Sequence, residues 1–187
     1  MTFANKTDGE EHKIQRSFFG LGMQYYAVAR YAAMATLMPV CGNLYHHAIE
    51  MFLKGGLSQT NTLKELKDLG HNLLRIWDAF KAEFSSAVLG QFDYTIKTLD
   101  QFESIRYPDK IIPEGIQLVL IWGPDIVAPV YAPEIRPPIF QVVVPDIDHL
   151  VKTIFEVCSA DPRDYAGSLN VYAYDALAKH NPACDWL

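Results

Sequence analysis

The stretch from Pro39 to Leu57 is the feature that most restricts how this chain can fold. Pro39 suits the first turn of a helix and Gly55-Gly56 suits its end, so the spacing predicts a helix between them. Val40, Cys41, Leu44, Ala48 and Met51 cover one side of that helix, and Tyr45, Ile49, Phe52 and Leu53 cover an adjoining one. A helix that is apolar over most of its circumference has to be surrounded, which places it in the centre of a bundle. On the remaining face Asn43, His47, Glu50 and Lys54, with His46 beside them, recur every three or four residues as one polar stripe. Such side chains need partners, because an unpaired buried donor or acceptor costs about 1–3 kcal/mol.

The rest of the composition narrows the classes. At 187 residues, half of them hydrophobic, the chain can bury a full core as one domain, residues 1–187. A net charge of -6 argues against a coat of undirected nucleic-acid binding and leaves room only for a local basic patch. The first twelve residues are polar and acidic, and no apolar run approaches the roughly 18 residues of a membrane span. A cytoplasmic protein without membrane contact is therefore expected. Cys41, Cys158 and Cys184 show no zinc or redox spacing and read as reduced, structural thiols. Neither a phosphate-binding loop nor a serine-hydrolase elbow occurs, and no cofactor is expected. Gly20-Leu-Gly22 lacks the third glycine and the preceding strand of a dinucleotide loop, so it reads as close helix packing or a late helix start.

Along the chain the helical period predicts a bundle core over 16–107. Its elements are a helix from Arg16 to Leu37, the central helix, a short helix from Thr62 to Leu69 with a Thr62/Glu65 capping box, a helix from His71 to Phe84, and one from Leu89 to Ile105. Trp77, Phe80, Phe84 and Phe92 sit at core spacing. Between 108 and 145 the period vanishes and eight prolines punctuate short apolar runs. Gln117–Trp122 and Ile139–Val144 are strand-like there, and they predict an inserted antiparallel ribbon with Trp122 and Tyr131 free for partner contact. Residues 146–181 are expected to hold C-terminal helices, the first capped by Asp146 with Asp148 at the same end, the last running from Asp164 to His180.

Three pieces in order carry a resemblance: His47-Ala-Ile-Glu50-Met-Phe-Leu-Lys54, Leu69-Gly-His71-Asn-Leu-Leu-Arg75-Ile-Trp77, and Phe102-Glu-Ser-Ile-Arg106-Tyr-Pro108. Over roughly Tyr25 to Pro108 the chain resembles the HEPN superfamily. The resemblance implies a mainly α, up-and-down bundle of four or five helices, here with a two-stranded β insertion, that pairs into a homodimer. It also implies association with nucleotides or RNA in prokaryotic stress, toxin-antitoxin or defence systems, often beside a nucleotidyltransferase. Nuclease members carry an arginine and a histidine four to six residues apart. None of Arg16, Arg30, Arg75, Arg106, Arg136 or Arg163 is followed by a histidine at that spacing, so a non-catalytic binding protein is expected.

Asn43, His47, Glu50, Lys54, His71, Arg75 and Arg106 are the candidate ligand-binding residues, around a cleft for a phosphate. If the chain is an endoribonuclease instead, Arg106 with His71 or His47 would meet across helices. In a third reading the 108–145 arm contacts a protein partner. The bland alternative makes the stripe structural: a Glu50/Lys54 pair at i,i+4, a Glu50/Arg106 pair between helices, and His71 bracing the central helix. A metal set of His46, His47, Glu50 and His71 lacks the two-histidine helical motif of zinc proteases, and no metal is expected.

Overall fold

Helix α1 (Asp8–Met34) turns at residues 35–39 and runs back as α2 (Val40–Leu57). A Cβ placed on Gly22 would lie 2.8 Å from the Phe52 ring, and one on Gly55 would lie 2.5 Å from the Phe19 ring. The facing residues thus count in opposite directions, and the two helices form an antiparallel hairpin. The computed structural model describes residues 8–109, 113, 115–122 and 137–186.

Two expectations change here. The first helix starts at Asp8 rather than Arg16, and Gly22 lies inside it as a point of close packing. Gly55 and Gly56 also lie inside their helix instead of beyond its end. They are small because Phe19 packs on one and Phe80 and Cys158 on the other. The α2 ladder runs to the Ser58 N–H on Lys54 O at 3.0 Å and then tightens, the Gln59 and Thr60 N–H groups bonding Gly56 O at 3.3 Å and Leu57 O at 3.2 Å.

Helix α3 (Leu63–Asp68) opens with the expected Thr62/Glu65 capping box. Helix α4 (Leu73–Phe84) is capped by Asn72, whose side chain accepts from Arg75 N at 2.7 Å. The predicted Leu89–Ile105 helix is in three pieces: a 3-10 turn (Ala87–Phe92), helix α5 (Asp93–Asp100) and a second 3-10 turn (Gln101–Ile105). Trp77, Phe80 and Phe92 are buried as their spacing predicts, with Trp77 and Phe80 stacked 5.9 Å apart.

Strands β1 (Gln117–Ile121) and β2 (Ile139–Val143) fall where the sequence places them, but they pair in parallel, Gln117 opposite Ile139 through to Ile121 opposite Val143. The antiparallel ribbon is therefore corrected. Residues 122–138 are long enough for the crossover a parallel pair needs, and β2 passes directly into helix α6 (Val144–Val157). Phe140 and Val142 turn inward, Phe140 against Phe102 at 5.6 Å. Tyr131 and the prolines 124, 129 and 133 lie outside the described residues.

Pro145 stands in the first turn of α6 with Asp146 beside it, and Val143, not Asp146, is at the cap. The expected final helix is two, α7 (Arg163–Ala166) and α8 (Val171–Ala178), since Asn170 starts α8 by accepting from Ala173 N at 3.0 Å. Phe19, Phe52 and Phe155 bring α1, α2 and α6 together at the centre, with ring centroids 4.8–5.8 Å apart. Burial pushes the Cys41 thiol up to about 11 and the Cys158 thiol up to about 12, so both are protonated packing groups. No described helix is long and apolar enough to cross a membrane.

Candidate functional site

The polar stripe of α2 closes on Glu50. Helical spacing places His47 one turn before it and Lys54 one turn after, so both reach its carboxylate from the same helix. Lys54 Nζ donates to Glu50 Oε1 at 2.8 Å, and His47 Nδ1 lies 3.7 Å from Oε2. The third partner comes from the turn before α4. Gly70, at φ +69, makes a bend that L side chains rarely adopt and delivers His71 just ahead of the Asn72 cap. His71 Nδ1 then donates to both Glu50 oxygens, at 3.0 and 3.1 Å.

That turn is pinned to α2 by its backbone as well. Lys54 Nζ donates to Gly70 O at 2.6 Å, and His46 Nε2 lies 3.1 Å from His71 O. The result is a carboxylate that is 1% exposed holding an imidazole that is 65% exposed. Burial pushes the Glu50 carboxyl up, but the adjacent His47 ring and the hydrogen bonds from Lys54 and His71 outweigh it and hold the group at about 2. An ionised Glu50 accepts only, so the His71 proton sits on Nδ1. Nε2 is left with no partner among the described residues, free to accept a proton or to meet a ligand.

A second arm of the network leads from His46. Its Nδ1 is 3.1 Å from Leu99 O, and Glu103 Oε2 lies 3.9 Å from its Nε2. Arg106 Nη1 is 3.5 Å from Glu103 Oε1. Arg106, Glu103, His46, His71 and Glu50 thereby form one chain of polar contacts. The expected Glu50/Arg106 pair is corrected: Arg106 finds its carboxylate three residues back, on its own turn. Arg75 does not join, because its guanidinium bonds Asp68 O at 3.1 Å on the protein surface. Asn43 is half-buried, its Oδ1 buried and without a hydrogen-bond partner among the described residues.

Donor atoms of His46, His47 and Glu50 lie within 4.8 Å of one another. The Lys54 ammonium and the His71 ring already occupy the Glu50 oxygens, so this trio is ill suited to a cation.

Sequence reasoning missed a second charged cluster. Arg30 of α1 and Asp148 of α6 are both fully buried, and Arg30 Nη1 donates to both oxygens of Asp148. Arg30 Nε also donates to Ala176 O at 2.8 Å and Nη2 to Lys179 O at 2.6 Å. Burial pushes the Tyr26 phenol well above its ordinary value, and its hydroxyl donates to Asp148 Oδ1 at 2.5 Å. Trp122, half-buried, lies over the guanidinium at 5.5 Å. Asp148 is thus an ion-pair partner, not a helix-start residue. One signal was legible: Arg30 is a lone charge on the α1 face that carries Tyr26 and Ala33, both buried.

Compared with protein-family models, with curated proteins and with solved structures, the chain gives no match, so its reading rests on the geometry of these clusters.

Proposed function

We propose that this is a HEPN-like protein that associates with a nucleotide or with RNA, in a prokaryotic stress or defence setting, and binds the phosphate without cutting the backbone. One observation carries the reading: an exposed His71 ring is held in one tautomer by a buried, ionised Glu50, with its second nitrogen unpartnered among the described residues. A group fixed at its base and open at its tip is pre-organised for a ligand. Arg106, at the other end of the same network, supplies a guanidinium fork suited to phosphate. The chain lacks the arginine and histidine spacing of the nuclease members, and Arg106 is linked to His71 only by way of Glu103 and His46. With this reading come a homodimer and a protein partner at the 108–145 arm, such as a nucleotidyltransferase.

The second reading is a metal-independent endoribonuclease, favoured by the carboxylate behind His71, which is the support a general acid–base needs. RNA binding and RNA cleavage measured on one sample, with metal chelated, separate the two. Binding without cleavage, weakened in His71→Ala and in Arg106→Ala, supports the first. Cleavage lost in His71→Ala replaces it with the second. Neither binding nor cleavage sinks both.

A further inference from the structure

His46 is a buried ring with acceptors on both sides. Nδ1 lies 3.1 Å from Leu99 O, while Nε2 lies 3.1 Å from His71 O and 3.9 Å from Glu103 Oε2. A neutral imidazole has one N–H, so one of its nitrogens must turn a lone pair toward a carbonyl. The excess is greater at Nε2, because Glu103 Oε2 is buried and has no hydrogen-bond partner among the described residues. Asn43 Oδ1, three residues before His46 on α2, is another such oxygen. With the proton on Nδ1, held by Leu99 O, the Nε2 lone pair faces His71 O and Glu103 Oε2, and no donor bridges them among the described residues.

We propose that His46 Nε2, His71 O and Glu103 Oε2 bind a divalent transition-metal ion, with Asn43 Oδ1 as a further oxygen donor on the same helix face. Donor atoms about 2.1 Å from one ion stand roughly 3.0 Å apart at a right angle and about 4.2 Å apart across it. The separations of 3.1 and 3.9 Å both fall in that span. An imidazole nitrogen among carboxylate and carbonyl oxygens suits Zn²⁺ or Mn²⁺, whereas Ca²⁺ takes oxygen ligands. The Nδ1–H bond to Leu99 O is the outer contact that ligating histidines make to fix their tautomer. Burial lowers the pKa of the His46 ring, as does His47, against the pull of Leu99 O, Glu50 and Glu103, which favours the neutral, ligating form. Arg106 is 3.5 Å from the other oxygen of Glu103, leaving Oε2 for the ion. Such an ion ties α2, the turn before α4 and the turn after α5 to one point. This set differs from His46, His47 and Glu50, and it does not depend on any nucleotide being bound.

The test uses chelator-treated full-length protein, with Zn²⁺ and Mn²⁺ titrated separately by calorimetry and thermal shift, in the absence of nucleic acid. One ion per chain and a raised Tm are expected for at least one metal. Glu103→Gln, at a partly exposed position that keeps the side-chain shape, weakens uptake by at least about tenfold. His47→Ala leaves it unchanged. Uptake of neither metal overturns the assignment, as does a His46 ring carrying both protons at neutral pH in nitrogen NMR spectra, where a proton takes the place of the ion. Uptake lost in His47→Ala but kept in Glu103→Gln overturns this ligand set in favour of the other.

Discussion

The protein holds two clusters built from the same materials, a carboxylate, a cation and a ring, and they differ in one respect. Around Asp148 everything is sealed: Arg30 and Tyr26 are fully buried, and the guanidinium also donates from Nε to Ala176 O and from Nη2 to Lys179 O. Around Glu50 the carboxylate is equally buried, yet one of its partners, His71, stands mostly in water. A sealed pair can only hold elements together, here α1, α6 and the C-terminal end of α8. A pair with one exposed member still positions that member precisely enough for it to meet something else, and this is why the Glu50 cluster and not the Asp148 cluster is read as the site.

The contrast can be broken most forcefully at Asp148. Asp148→Ala strands a guanidinium in the core, and a loss of about 3–5 kcal/mol is expected in urea unfolding. A loss below about 1 kcal/mol would mean that Arg30 escapes to water and the cluster is not sealed. Glu50→Gln should cost less, about 1.5–3 kcal/mol, because Lys54 keeps the Gly70 carbonyl and His71 can turn to solvent. Equal losses at the two positions would erase the distinction.

Acid sharpens it further. The Glu50 carboxyl is held at about 2 in the fold against an ordinary 4.5, so its contribution is present above about 4.5 and disappears as the pH falls toward 2. The stability gap between the protein and Glu50→Gln should shrink across that window, and a gap that stays constant would show that Glu50 is not ionised. The smallest effect on stability belongs to His71→Ala. Removing the ring takes a donor from Glu50 but opens its carboxylate to water, so a cost of about 1 kcal/mol is expected, while phosphate binding weakens. A large loss of stability with unchanged binding would make His71 a brace and return the stripe to a structural role.

Much of this was legible in the residues. The α2 stripe was readable because Asn43, His47, Glu50 and Lys54 are related by helical period, a local geometry that the spacing itself specifies. The Thr62/Glu65 cap and the two strand positions were readable for the same reason, since each depends on a few consecutive residues. Glycines were ambiguous: Gly55-Gly56 as a stop and as a packing point look identical until Phe19 and Phe80 are in place.

By itself, then, the sequence determined a helical bundle with α2 at its centre, a polar stripe along that helix, and a short strand on either side of a proline-rich connection. Tertiary structure decided the rest. It made the strands parallel, brought His71 to Glu50, left Glu103 Oε2 facing His46, and joined Arg30 to Asp148 across 118 positions. The physical reason is range: a helix turn fixes neighbours three and four residues apart, whereas partners brought together by packing share no period, and their pairing exists only once the apolar faces between them have closed.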